Sequence, residues 1–412
     1  MREKDTHLRG HRLVRHARLS IPLANMQITD IEVIPLTTNH LNPEDCDGQL
    51  NDFVVRIHTD TGHIGIGESD TPPRVSAALV NMETEHIWAR GFRDLLVGRD
   101  PRETTALWDA LYQGCIYHTR RGLGVNILSA IDVALHDVAA RSLGLPVYKL
   151  LGGAQRRMVT PYCSILPGTP QGRSWSEIVD RTLNDLQTAL SKGYHAFKIQ
   201  ALFYEACTDR ELAELVHACR RTLGPDRALM IDVGYRWDHA SEAIRWTRKI
   251  ECDELYFLET PIATDNIEGY AQLAAAVDTP IAMGELLSNR FEFLEYIRRG
   301  AVDVLQPDIG RAGGLTEARR IAQIAADNGL RVVPHGWKTM ISVAALTHFS
   351  AAVPNCPYIE FPDPDLVNAK ELRNHLAGPE AVLVNGRFEL PQTPGLGVAL
   401  DSATVEKYRI RN

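Results

Sequence analysis

Seven cysteines in 412 residues, odd in number and without a CxxC pair, argue against a disulfide framework or a thiolate zinc site. They fit a reducing compartment, the cytoplasm. No uninterrupted apolar run approaches the roughly 18 residues that a membrane span needs. Positive charge is in deficit: 44 Lys and Arg stand against 52 Asp and Glu, for a net charge of −8. A nucleic-acid or anionic-membrane partner would need the opposite balance. What is present, 44% hydrophobic and 23% charged residues, is the composition of a folded globular chain long enough for two domains.

The first 25 residues differ from the rest. They carry six basic and two acidic residues, so positions 26–412 hold a net charge of −12. This opening has no apolar signal core, and the expectation is a disordered basic extension or a start placed upstream of Met26.

From Met26 the pattern is strand-like. MQITDIEVIPL alternates, and FVVRIHTDTGHIGIGE reads as two strands joined at Thr61-Gly62. Residues 74–150 then have helical period, with Gly144 and Pro146 as a stop. An α+β unit is expected over 26–150. After Gly153 short apolar runs alternate with amphipathic segments, their centres near 163, 198, 231, 257, 282, 305, 333 and 359. Eight such repeats predict a (β/α)8 barrel over 151–385, followed by a closing segment, 386–412. An open doubly wound sheet would want GxGxxG after its first strand, and none is there.

In a barrel the C-terminal strand ends share one mouth. Here they present Lys198, Asp232, Glu259, Glu285, Asp308, His335 and Glu360. A single acidic residue after a strand reads most simply as a helix cap. Seven ionisable ends in succession do not, because caps have no use for Lys, His or Glu, and converging carboxylates repel unless a cation compensates them. Asp232, Glu259 and Glu285 end three consecutive strands, and an all-oxygen set suits Mg²⁺, or Mn²⁺, rather than zinc. His335 and Asp308 end adjacent strands, the pairing that sets the tautomer of a general base. Lys198 could hold a carboxylate or act as acid or base, with Gln200 on the same inward face. Glu360, if kept protonated, could donate to developing oxyanion charge. A cation on a carboxylate with a base beside it serves removal of the proton α to that carboxylate.

These residues and their order resemble the enolase superfamily and its mandelate racemase subgroup. The likeness rests on SAIDVALHD at 129–137, the strand-end series, QPDIGRAGGLTEA at 306–318, VPHGW at 333–337 and PGLG at 394–397. It implies a modified barrel with an N-terminal α+β cap, a C-terminal return to the cap, Mg²⁺ on Asp232, Glu259 and Glu285, a His335–Asp308 dyad, Glu360 as electrophilic helper, and self-association through paired caps. Subgroup members with two lysines carry KxK on the second barrel strand, whereas this chain has Lys198-Ile199-Gln200. Loss of the second lysine weakens a racemase, which needs bases on both faces of the α carbon. Dehydration of a sugar acid to a 2-keto-3-deoxy acid needs only one base and is the leading expectation. Opening of an anhydro acid or lactone by β-elimination is the nearest rival, a racemase or epimerase comes third, and a catalytically silent binding barrel is the reading from another class. Substrate selection is expected from loops at 38–52 and 114–122. Tyr117, His118 and Arg120, with Trp237 and Lys338 on barrel loops, are the candidate contacts to a small carboxylate.

Overall fold

The computed structural model describes residues 25–38, 51–168, 172–366 and 372–411. The basic opening, apart from Asn25, and most of the 38–52 loop lie outside them. Strands β1 (Ile28–Thr37), β2 (Asn51–Thr59) and β3 (Ile64–Ser69) form an antiparallel sheet. The turn between β2 and β3 has Gly62 at φ +81°. Helix α2 (Leu123–Ser142) packs on it, and α1 (Thr104–Gly114) packs in turn on α2. Helix α2 is long and apolar enough to cross a membrane, but 89% of its apolar window is buried in the protein. It is the core helix of the cap.

Eight parallel strands follow: β4 (Pro161–Ile165), β5 (Ala196–Gln200), β6 (Ala228–Asp232), β7 (Phe257–Glu259), β8 (Ile281–Met283), β9 (Val304–Leu305), β10 (Arg331–Val332) and β11 (Ile359–Phe361). Each strand from β4 to β10 pairs with the next, and β11 returns to pair with β4, Ile359 opposite Pro161. The sheet therefore curls into the expected modified barrel. Helices α3 (Trp175–Ser191), α4 (Asp209–Leu223), α5 (Ala240–Ile250), α6 (Ile267–Ala274), α7 (Arg290–Arg298), α8 (Gly314–Asp327) and α9 (Met340–Ala352) surround it. Local sequence starts these helices well: Ser174 with Glu177, and Thr208 with Glu211, form capping boxes. Such caps contribute about 1 kcal/mol each.

The cap grips the barrel through buried carboxylates placed at barrel-helix N-termini, where the helix dipole and unpaired amides favour them. Asp132 on α2 accepts from the Thr316 amide (2.9 Å) and hydroxyl (2.6 Å). Glu68 on β3 accepts from the Thr339 hydroxyl (2.7 Å) and the Ser342 amide (2.7 Å) at the start of α9. Asp137 accepts from Ile66 in the cap and Leu396 near the C-terminus. Near the end of the chain Ile410 donates to Pro35 on β1. The approach at Asp132 demands glycine: a Cβ on Gly314, at φ +77°, would lie 2.4 Å from the carboxylate.

Candidate active site

Strand register builds the mouth. Gln200 is opposite Asp232, and Asp232 opposite Glu259, so these side chains share a face at one level. Glu285 follows two residues after β8, across Gly284, whose φ is +136° and whose Cβ would meet Phe293 at 2.5 Å. Only glycine fits there. Asp308 and His335 each lie three residues beyond their strands.

The groups converge. His335 Nδ1 lies 2.6 Å from Asp308, while its Nε2 lies 3.4 Å from Glu285 and 3.9 Å from Glu360. Lys198, only 2% exposed, donates to Glu259 (3.0 and 3.1 Å) and contacts Glu360 at 2.8 Å. Glu360 also accepts from the Ser164 hydroxyl (2.6 Å) and the Gly336 amide (3.0 Å). Asp232 accepts from the Thr260 hydroxyl and the Gly234 amide, and Glu285 from the Tyr235 hydroxyl at 2.7 Å.

Electrostatics follow from this crowding. Burial, together with neighbouring carboxylates, pushes Asp232 up to about 6 and Glu259 up to about 8 despite Lys198. Burial would strip the proton from His335, but Glu360, Asp308 and Glu285 hold it on, up to about 10. Burial alone would raise Glu360; Lys198, His335 and Ser164 instead bring it down to about 2. This corrects the expectation of a protonated Glu360 acting as donor. The group is an ionised acceptor, because a buried lysine lies against it. Five carboxylates, Asp232, Glu259, Glu285, Asp308 and Glu360, thus face two cations, Lys198 and His335. A divalent cation fits that deficit, and carboxylate oxygens are the donors a hard ion takes.

The other candidates are dispersed. Trp237 is not brought into this group: it is buried in the helical shell, donates to Asp209 and packs on Trp246. Lys338 is held by Asp70 (2.9 Å) and the Asn51 carbonyl (3.1 Å) at the cap–barrel seam. Tyr117 is exposed and touches His86 edge-on. Arg120 is exposed in the loop before α2, and His118 lies in the short helix Ile116–Thr119, its side chain outside those described. Sequence reasoning passed over Ser164, Thr260 and Tyr235. Ser164 sits on the first barrel strand and was open to the same strand-end logic; Tyr235, at φ +62° in a loop, gave no signal. A second potential ligand group, His217, Cys252 and Asp253, has ligand atoms within 4.8 Å of one another. It lies on α4 and the turn leading into β7, at the opposite end of the barrel, and its His217 and Asp253 already bond each other at 2.6 Å.

Residues 181–404 match the enolase C-terminal domain-like family, and residues 48–152 match the mandelate racemase / muconate lactonizing enzyme N-terminal domain. The chain belongs to the mandelate racemase / muconate lactonizing enzyme subgroup of the enolase superfamily. It is 32% identical to D-galactarolactone cycloisomerase of Agrobacterium fabrum, over 87% of this chain and 91% of that one. It is 30% identical to arabinonate dehydratase of Saccharolobus solfataricus, over 86% and 90%. The crystal structure of 3,6-anhydro-D-galactonate cycloisomerase from Zobellia galactanivorans superposes with a TM-score of 0.81 at 29% identity, covering 93% of this chain and all of that one.

Proposed function

We propose that the protein is a Mg²⁺-dependent lyase that dehydrates a sugar acid to a 2-keto-3-deoxy acid. The observation that carries the reading is the His335–Asp308 contact of 2.6 Å beside a buried carboxylate cluster. Asp232, Glu259 and Glu285 would hold the cation, which when bound supplies Lewis acidity for charge delocalised onto the substrate carboxylate and offsets the field that keeps His335 protonated. Asp308 holds Nδ1 of His335, leaving Nε2 facing the mouth. That nitrogen takes the proton from the α carbon, the C–H electrons form the double bond to the β carbon, and the β-hydroxyl leaves with the proton His335 returns. The resulting enol tautomerises to the 2-keto acid. One base on one face suffices for this syn elimination. Lys198, clasped between Glu259 and Glu360, positions both carboxylates.

Relatives support the class: an arabinonate dehydratase is among them, as are D-gluconate and D-xylonate dehydratases. A second reading is favoured by the two cycloisomerases. Opening an anhydro acid or lactone uses the same proton abstraction with a ring oxygen as leaving group. With Gln200 where a second lysine would stand, racemisation is the weaker fit. The six free cysteines among the described residues support a cytoplasmic setting.

The test is a panel of sugar acids with Mg²⁺, scored for 2-keto acid. Turnover of an anhydro acid or lactone without water loss would select the cycloisomerase. His335→Asn should abolish turnover and α-proton exchange in D₂O while metal binding persists; undiminished activity would sink the base assignment.

A further inference from the structure

Away from the mouth, a cleft of about 520 Å³ opens where the cap meets the outer face of the barrel, between α1, α2, α8 and the loop entering β11. Arg102, Arg319, Arg320 and His136 line it, and no Asp or Glu does. We propose that this cleft binds a small, multiply charged oxyanion, a phosphate or a dicarboxylate, at a site separate from the reaction centre.

Three features bring hydrogen-bond donors to the same space, and Arg319 adds a positive charge that no carboxylate among the described residues pairs. Arg102 and Arg320 are anchored from behind by carboxylates outside the cleft, Asp100 for the first and Asp109 and Glu317 for the second. Arg319, by contrast, has no partner among the described residues. Burial works against a proton on His136, the Asp132 carboxylate 3.4 Å away outweighs it and holds the imidazole above its ordinary value, and Arg319 opposes that only in part. His136 is 5% exposed; its Nδ1 is taken by the Asp132 carbonyl at 2.8 Å, and its Nε2 has no partner among the described residues. That nitrogen is not among the buried unpaired atoms, so it opens into the cleft, where water or a ligand can meet it. The third feature is the N-terminus of the eleven-residue helix α1. Thr104 and Thr105 of its first turn line the cleft, and Glu103 at the cap position makes no capping bond. First-turn amides lack intrahelical partners and favour anions. Guanidinium, imidazole and helix amides together match a tetrahedral or planar oxyanion. The cleft is also larger than one phosphate, leaving room for a substituent.

Such a ligand would bridge α2 to α8 one turn from the Asp132–Thr316 clamp. It would therefore favour the docked cap, and this holds whatever reaction the mouth performs.

Titration calorimetry of the full chain with inorganic phosphate, and separately with succinate, tests the site. Saturable binding is expected, weakened about tenfold or more in Arg319→Ala, the loss of one charge-assisted contact. Arg319 is exposed, so that variant should fold and turn over normally, and His335→Asn should bind as the parent does. Preference for phosphate or for succinate assigns the class of oxyanion, and either supports the site. Binding lost in His335→Asn but kept in Arg319→Ala would move it to the mouth and overturn the proposal. Absence of saturable binding in the parent, or equal binding by the parent and Arg319→Ala, would overturn it too.

Discussion

At the scale of residues the candidate site is a problem of buried charge. Lys198 sits between Glu259 and Glu360 with all three all but fully buried. Removing one partner of such a set leaves uncompensated charge in a low-dielectric interior, which costs about 3–5 kcal/mol. Lys198→Met should therefore lower unfolding free energy by that order in EDTA, measured by urea denaturation, and Mg²⁺ should restore part of the loss. A variant as stable as the parent would mean that the carboxylates simply protonate. The types and order of these residues were legible as strand-end positions. Their charge states were not, because the ionisation of Glu360 depends on Lys198 lying 2.8 Å away across two intervening strand ladders. Tyr235 and Thr260 escaped notice for the same reason: their hydroxyls matter only because of where Glu285 and Asp232 come to rest.

At the scale of elements, helix and strand positions followed from period and apolar runs, whereas the joints between elements did not. The motif SAIDVALHD reads as an amphipathic helix; in three dimensions Ser129, Asp132 and Asp137 are the hooks that hold Gly313, Thr316 and Leu396. His348 on α9 is a similar joint. It accepts from the Tyr148 amide and donates to the Leu396 carbonyl, and burial brings its imidazole down to about 4 from the ordinary 6.5. Well above pH 6.5 the ring is neutral whether folded or not. As pH falls from there towards 4, only the unfolded chain takes up the proton, so the fold loses stability, by about 3 kcal/mol at most. Urea titrations across this range should show a shallower pH dependence in His348→Gln, which keeps a donor and an acceptor. An unchanged slope would mean that other groups govern acid unfolding.

At the scale of the whole molecule, the net charge of −8 conceals a strong local imbalance at the barrel mouth. Cation binding to the folded state alone should stabilise it, by about 2.7 kcal/mol at one hundred times the dissociation constant. Thermal unfolding after EDTA treatment and Mg²⁺ addition should show that gain, and Asp232→Asn should lose it. An equal gain in the variant would remove Asp232 from the ligand set. Sequence alone determined the cap-and-barrel architecture and which residues end the barrel strands, because apolar period and strand alternation are local properties of the chain. Only the tertiary structure decided that Glu360 is ionised, that Trp237 belongs to the helical shell, and that an arginine-lined cleft opens beside α2. Each of those rests on distances between residues far apart in the chain, and the energy of a buried charge is set by such distances.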